Sequence, residues 1–221
     1  MSYYIQIGAG AGDQDERLNY KEGFTNFIKK KTYNKDDKVL VVEANPLNID
    51  KLKTCWKDYS NLKIYNLAIV DSNFTGENIK LFYTEDDKPC YQVTSIHLSH
   101  VKKHYPKSTI LEKKVKSKKI NDFLSEEIGN QRIEYLAVDA EGVDFELVMD
   151  LNLKKFDIKN ISIEIIHLNK EQKKILVNKL IENGYSYIGK GFDIDGYDVM
   201  FKKKMNLYLK FKTKYFTRKL K

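Results

Sequence analysis

Four stretches of this chain carry side chains whose types and spacing suit chemistry. The first is Gln6-Ile7-Gly8-Ala9-Gly10-Ala11-Gly12, placed where an apolar run Tyr3–Ile7 turns toward a helical pattern. Glycines at such a turn let the backbone approach a ligand closely and adopt conformations that other residues avoid. The second is Glu43, ending the apolar run Val39-Leu40-Val41-Val42 ahead of Ala44-Asn45-Pro46. An acid at that strand end can accept both hydroxyls of an adenosine ribose. The third is Leu136-Ala137-Val138-Asp139-Ala140-Glu141-Gly142, which puts two acids just past another apolar strand. The fourth, Ser162-Ile163-Glu164-Ile165-Ile166-His167, sets an acid inside a strand and a histidine after it. A carboxylate on a buried strand is costly without a partner, and His167, a lysine or a metal ion would each serve.

The glycine loop alone fits any nucleotide-type cofactor, but its continuation narrows the choice. The third glycine of a dinucleotide fingerprint would fall at position 13, which is Asp13. An acid beside a pyrophosphate is electrostatically unfavourable, whereas S-adenosylmethionine has no phosphate and carries a sulfonium and an ammonium. That donor is therefore expected, with Asp139 and Glu141 facing its methionine end. Local alternatives stand beside these roles: Asp139 as a helix N-cap, Glu141 as a first-turn acid, Glu164 as half of an ion pair.

The elements that must position these residues alternate strand and helix, the pattern of a mainly parallel sheet covered on both faces. Strands are expected at Tyr3–Ile7, Lys38–Glu43, Leu62–Val70, Ile133–Val138 and Asn160–Ile166, with helices near 16–31, 46–59, 117–128, 142–151 and 169–183. Asn45 can cap the second helix, with Pro46 in its first turn, and Asn169 with Gln172 reads as a capping box closed by Gly184. Tyr185–Gly189 and Tyr197–Lys203 would add an antiparallel edge pair to give seven strands. Residues 71–116 form a less regular excursion, with a hairpin of Ile79–Tyr83 and Ile110–Val115 and a short helix around Ser95–His104. Its Tyr83, Tyr91, Gln92, Ser95, His97, His100 and His104 offer rings and polar groups to an acceptor, with Ser95 and Tyr91 the substrate-binding candidates, and the alternative is a surface loop that covers the sheet edge.

Charge is unevenly spread over the 221 residues. The net charge is +8, but residues 202–221 hold nine Lys or Arg and no acid, leaving 30 basic against 31 acidic residues before them. A near-neutral body argues against a face built to track nucleic acid. The tail interleaves Met205, Leu207, Leu209, Phe211, Tyr215, Phe216 and Leu220 with lysines, an amphipathic cationic segment suited to an anionic membrane surface or a protein partner, or to packing on the sheet by its apolar side. The division expected is a catalytic domain over 1–203 and a basic tail over 204–221. No run is long and apolar enough for a membrane helix, the N-terminus lacks the pattern of a signal peptide, and Cys55 and Cys90 are too few for a disulfide framework, so a cytoplasmic protein is expected.

In order and spacing the chain resembles the FkbM-type methyltransferases over roughly residues 3–168. The likeness rests on Tyr4-Ile5-Gln6-Ile7-Gly8-Ala9, Val42-Glu43-Ala44-Asn45-Pro46, Asn66-Leu67-Ala68-Ile69, Thr94-Ser95, Ile120-Asn121-Asp122-Phe123-Leu124 and Val138-Asp139-Ala140-Glu141-Gly142. The resemblance implies a Rossmann-like class I methyltransferase fold of seven mostly parallel strands with an antiparallel edge hairpin. It also implies S-adenosylmethionine as donor and O-methylation, often of a sugar or polyketide hydroxyl. By it Gly8, Gly10 and Gly12 match the donor loop, Glu43 the ribose acid and Ala68 the adenine wall, so the donor-binding set becomes Gln6, Gly8, Ala9, Gly10, Gly12, Glu43, Ala44, Ala68 and Asp139. Two positions depart from the family: Ala137 stands where lysine is usual, and Asp144 where glutamate is usual.

A sugar hydroxyl is a poor nucleophile near neutral pH, so a base or a metal must take its proton as the new bond forms. Asp139 is the first choice of base and His167 the second, with Glu141 beside them. A metal-assisted version with Mg or Mn would use Asp139, Glu164 and His167. Two other readings stay open: an NAD-dependent oxidoreductase on a similar sheet, and a methyltransferase of nucleic acid or another small molecule.

Overall fold

A computed structural model describes residues 1–12, 14–15, 20–21, 23–30, 36–85, 93–192, 196–204 and 206–219. In chain order the elements are β1 (Ser2–Ile7), β2 (Gln14–Asp15), β3 (Tyr20–Lys21), α1 (Gly23–Lys30), β4 (Lys38–Glu43), a 3-10 turn (Pro46–Asn48), α2 (Ile49–Cys55), β5 (Leu62–Asn66), β6 (Ala68–Val70), β7 (Asn78–Tyr83), α3 (Leu98–His104), β8 (Leu111–Lys119), α4 (Ile120–Glu127), β9 (Arg132–Val138), α5 (Asp144–Asp150), β10 (Ile158–Glu164), α6 (Lys170–Glu182), β11 (Tyr185–Lys190), β12 (Asp198–Lys203) and α7 (Leu207–Lys219). Among these, no helix is long and apolar enough to cross a membrane.

Seven strands form the main sheet in the order β11-β12-β10-β9-β1-β4-β5. β1 pairs in parallel with both β4 and β9, and β12 runs antiparallel between β10 and β11. This is the expected α/β sheet with an antiparallel edge pair. Order reverses at β1, so the ends of β1, β4 and β9 open into one crevice, the place where such sheets hold ligands.

Alternation along each strand divides the core. Tyr3, Ile5 and Ile7 of β1 face a layer with Phe123 and Leu124 of α4, Leu147 and Val148 of α5, and Leu176, Val177 and Leu180 of α6. Tyr4 of β1, with Val39 and Val41, faces Phe24 and Ile28 of α1 and Leu52 and Trp56 on the other side. Fully burying each such side chain contributes about 1.5–3 kcal/mol. The caps at Asn45 and Asn169 form as expected: Asn45 accepts from Leu47 N, and Asn169 exchanges hydrogen bonds with Gln172.

Several boundaries differ from the sequence expectation. The first helix starts at Gly23 rather than near residue 16, because Tyr20–Lys21 pairs with Gln14–Asp15 and Gly23 takes φ +74°. The helix expected from Ser117 starts at Ile120, since Ser117–Lys119 are held by β6 in register Ala68↔Ser117 and Val70↔Lys119. The single strand expected over Leu62–Val70 breaks at Leu67. Its first part stays in the main sheet, and Ala68–Val70 joins β8 and β7 in a second, three-stranded sheet. Asn66 marks the break, donating its side-chain amide to the carbonyls of Glu43 and Ala44. The excursion is thus a small sheet with α3 beside it, the β7–β8 hairpin being antiparallel as expected.

The basic tail forms α7 and lies on β11. Leu209 and Thr213 are buried, Thr213 Oγ1 accepts from Tyr187 N at 2.9 Å, and Phe216 stacks on Tyr187 with centroids 3.9 Å apart. Leu207, Tyr208, Phe211 and Tyr215 occupy the outer side at 62–73% exposure.

Candidate functional site

The glycine loop is held by its neighbours on both sides. Gly8 N and Ala9 N donate to Val42 O at 2.9 and 3.0 Å, and Asp139 N donates to Ile7 O at 3.0 Å. Gly8 has φ +82°, and a Cβ there would lie 1.5 Å from the Asp139 carbonyl oxygen. Gly12, at φ +101°, packs against Cys55, and Gly10 has φ +51° with open space before it. These glycines meet different demands: close approach at Gly8 and Gly12, backbone conformation alone at Gly10.

Glu43 is 5% exposed, and both of its carboxylate oxygens are engaged. Oε2 accepts from Gly10 N at 2.7 Å and Oε1 from Asn45 N at 2.6 Å, so the acid ties the glycine loop to the end of β4. Burial pushes its carboxyl up to about 7, against the backbone hydrogen bonds that favour the charged form. The Asn48 side chain adds a third hydrogen bond, and the lone-pair capacity of a carboxylate still leaves room for a ribose hydroxyl.

After β9 the chain makes a tight loop organised by Asp144. That residue is 1% exposed and accepts from Ala140 N at 2.6 Å and Gly142 N at 3.3 Å. Burial raises its carboxyl to about 6. Glu141 has φ +46°, the one non-glycine among the described residues with a positive value, and its carbonyl accepts from Ser95 Oγ at 2.7 Å. Asp139 Oδ1 is buried with no hydrogen-bond partner. Burial, then the charges of Glu164 and Glu141, hold the Asp139 carboxyl well above the usual carboxylate range.

Histidines gather on the far side of that loop. His100 Nε2 lies 3.3 Å from Glu141 Oε2, and His167 Nε2 lies 3.6 Å from both Glu141 Oε2 and Glu164 Oε2. The rings of His100, His104 and His167 have centroids 4.5–5.7 Å apart. Burial raises the Glu141 carboxyl, but hydrogen bonds from His100 and His167 more than offset this and leave it below its ordinary value. His104 is lowered, chiefly by burial.

One cavity of about 480 Å³ joins these parts. Of the expected residues, Gln6, Gly8, Gly10, Glu43, Ala44, Ala68, Ser95, Asp139, Glu141, Glu164 and His167 line it. Ala9 and Gly12 sit behind the loop and support it, and Tyr91 lies outside the described residues. The excursion forms a wall, tied down at two points by the Ser95–Glu141 bond and by Asn45 Nδ2 donating to Thr94 Oγ1 at 3.0 Å. Phe24, Phe192 and Tyr197 add aromatic lining that the sequence reading did not single out. Their signal was weak, because apolar spacing marks a buried side chain without saying what it faces.

The lining fits S-adenosylmethionine. Its volume is ordinary for a small-molecule site. Its charged groups are the carboxyls of Glu43, Asp139, Glu141, Glu164 and Asp198, with no Lys or Arg among the described lining residues. A cationic sulfonium and ammonium suit that surface, and a pyrophosphate does not.

No curated protein matches the sequence. Among solved structures, the chain is similar to the fibrillarin pre-rRNA processing protein of Methanococcus jannaschii, at 14% identity over 92% of this chain and 67% of that one, TM-score 0.42. It is similar to Aeropyrum pernix fibrillarin in complex with natively bound S-adenosyl-L-methionine, at 11% identity over 90% and 65%, TM-score 0.42. It is also similar to the human methyltransferase 10 domain containing protein, at 12% identity over 93% and 72%, TM-score 0.44. The model of the methyltransferase FkbM domain matches residues 6–188, and the chain belongs to that family of methyltransferases.

Proposed function

We propose that this protein is an S-adenosylmethionine-dependent O-methyltransferase acting on a sugar hydroxyl of a glycan or glycoside. The observation that carries the reading is a single cavity in which the Gly8–Glu43 end and the Asp139–His167 end meet, lined by carboxyls and aromatic rings without a lysine or arginine among the described residues. Such a lining favours a cationic donor and a neutral, hydroxyl-rich acceptor over a phosphorylated one. Phe192 and Tyr197 would offer ring surface to a sugar, and the Thr94 hydroxyl, which accepts from Asn45, keeps a proton to donate.

When bound, S-adenosylmethionine supplies a methyl group already made electrophilic by its sulfonium. The chain's own part is alignment, which is worth up to roughly 7–11 kcal/mol in favourable cases. Glu43 and the glycine loop would hold the adenosine, and Ala44 and Ala68 would flank the adenine. Asp139 would accept the proton leaving the acceptor hydroxyl at its Oδ1, the oxygen that has no partner of its own. In a metal-assisted form of the same step, Mn rather than Mg would draw on Glu164 and His167, since imidazole beside carboxylate suits it better. The basic tail adds a second contact in this reading, its outer aromatic and lysine side meeting an anionic membrane surface or a protein.

Isothermal titration with S-adenosylhomocysteine and NAD⁺ side by side tests the donor, the first binding and the second not. Labelled donor offered with deoxysugar glycosides, catechols and capped RNA tests the acceptor, and transfer to RNA alone would overturn the carbohydrate reading.

A further inference from the structure

We propose that His100, His104 and His167, together with Glu141 and Glu164, form a binding site for one divalent first-row transition-metal ion at the acceptor end of the cavity. Sequence spacing alone suggests a carboxylate-rich set of Asp139, Glu164 and His167. The structure assembles a different one, rich in imidazole.

Three of the chain's four histidines meet at this place. His100 and His104 stand four residues apart on α3, which puts them on one helix face, the spacing by which a helix presents two imidazoles to one ion. His167 reaches them from beyond β10. The candidate ligand atoms of His100, His104 and His167 all lie within 4.8 Å of one another, and so do those of Glu141, Glu164 and His167. Bonds of about 2.0–2.2 Å to nitrogen and oxygen place neighbouring ligand atoms roughly 3–3.5 Å apart around an ion. The contacts present, 3.3 Å for His100–Glu141 and 3.6 Å from His167 to each glutamate, already approach that spacing. His167 belongs to both triads, so the ion sits at the corner they share.

Chemistry selects the class of ion. Imidazole with carboxylate suits Zn²⁺, Fe²⁺, Co²⁺ or Mn²⁺, whereas Mg²⁺ prefers a shell of oxygens and water. A cationic donor alone does not account for the cluster. It could neutralise carboxylates on the cavity wall, but it gives no reason for three imidazoles to converge behind Glu141, with His100 outside the lining. His104, Glu141, Glu164 and His167 do reach the cavity, so a bound ion would keep one side toward the acceptor. It would also tie α3 of the excursion to the ends of β9 and β10.

The test uses the full-length protein, stripped with EDTA, and cobalt(II) as probe, followed by calorimetry and by visible absorption. One equivalent should bind, zinc(II) should displace it, and excess Mg²⁺ should not. His167→Gln should weaken cobalt binding by at least roughly 100-fold, and His100→Ala by at least roughly tenfold, at or beyond the 10–100-fold range seen on loss of outer ligand partners. Both variants should still bind S-adenosylhomocysteine, which shows the fold is kept. Absence of cobalt binding, retention of it in His167→Gln, or displacement by Mg²⁺ would each overturn the site. The proposal is independent of the methyl donor: failure of S-adenosylhomocysteine to bind any of the proteins would remove the functional reading and leave the cobalt result standing.

Discussion

Gly8 and Asp139 are in backbone contact across the switch point of the sheet: a Cβ on Gly8 would sit 1.5 Å from the Asp139 carbonyl oxygen. The glycine loop and the loop bearing the proposed base are therefore built against each other.

Gly8→Ala should cost roughly 3 kcal/mol or more, combining a left-handed φ with overpacking against backbone. Gly10→Ala, with the same kind of φ but open space, should cost only about 1–2 kcal/mol. Urea denaturation of both variants checks the contrast, and equal costs would show that the close approach at Gly8 does not matter.

Donor affinity should depend on pH through Glu43, whose carboxyl burial raises to about 7. The ionised form makes charge-assisted hydrogen bonds to hydroxyls, and the protonated form loses that charge. Affinity for S-adenosylhomocysteine should thus rise from pH 6 to pH 8 and level off above. Glu43→Gln should flatten the profile, and Glu43→Ala should weaken binding by roughly 1.5–3 kcal/mol. Calorimetry across that range decides it, a pH-independent wild-type affinity being the adverse result.

Asp139→Asn keeps the shape of the side chain and removes the base, so turnover should fall by on the order of 100-fold or more. Donor affinity should change far less. Survival of turnover in this variant, joined to its loss on EDTA treatment, would assign proton removal to a metal-assisted route instead.

The two sides of α7 should behave differently. Phe216→Ala removes a stacked ring over Tyr187 and should lower stability by about 2 kcal/mol. Truncation after Lys204 removes the whole helix and should destabilise the sheet edge further. Serine at Leu207, Phe211 and Tyr215 should leave the melting transition in place, because these side chains touch solvent. The same serine variant should bind anionic liposomes more weakly, keeping only the attraction of the basic side chains, about 1 kcal/mol per basic residue, which fades with salt. If the unaltered protein ignores such liposomes at low salt, the outer face serves no membrane.

Read from the sequence alone, the elements that bring Gly8 and Glu43 together were legible because their signals are local. A strand, a glycine loop and a helix follow one another in fifteen to thirty residues, and the acid that ends β4 is marked by the apolar run before it. Periodicity also yielded the strand order's ingredients and the edge pair, since burial on both faces writes itself into continuous apolar runs.

Tertiary structure decided what depends on closure between distant segments. Ser117–Lys119 follow strand geometry although their surroundings read as helix, because pairing with Ala68–Val70 outweighs local preference. His100 and His104 meet His167 and Glu141 where the excursion lies over the β9 and β4 loops, fastened there by Ser95 and Thr94. Nothing in the spacing of residues 95–104 states where that helix will rest. Likewise the tail's amphipathic character was visible in its sequence, but only contact with Tyr187 determined which side was covered. Local pattern encodes which side chains share a face, and the shape of the rest of the molecule selects what that face meets.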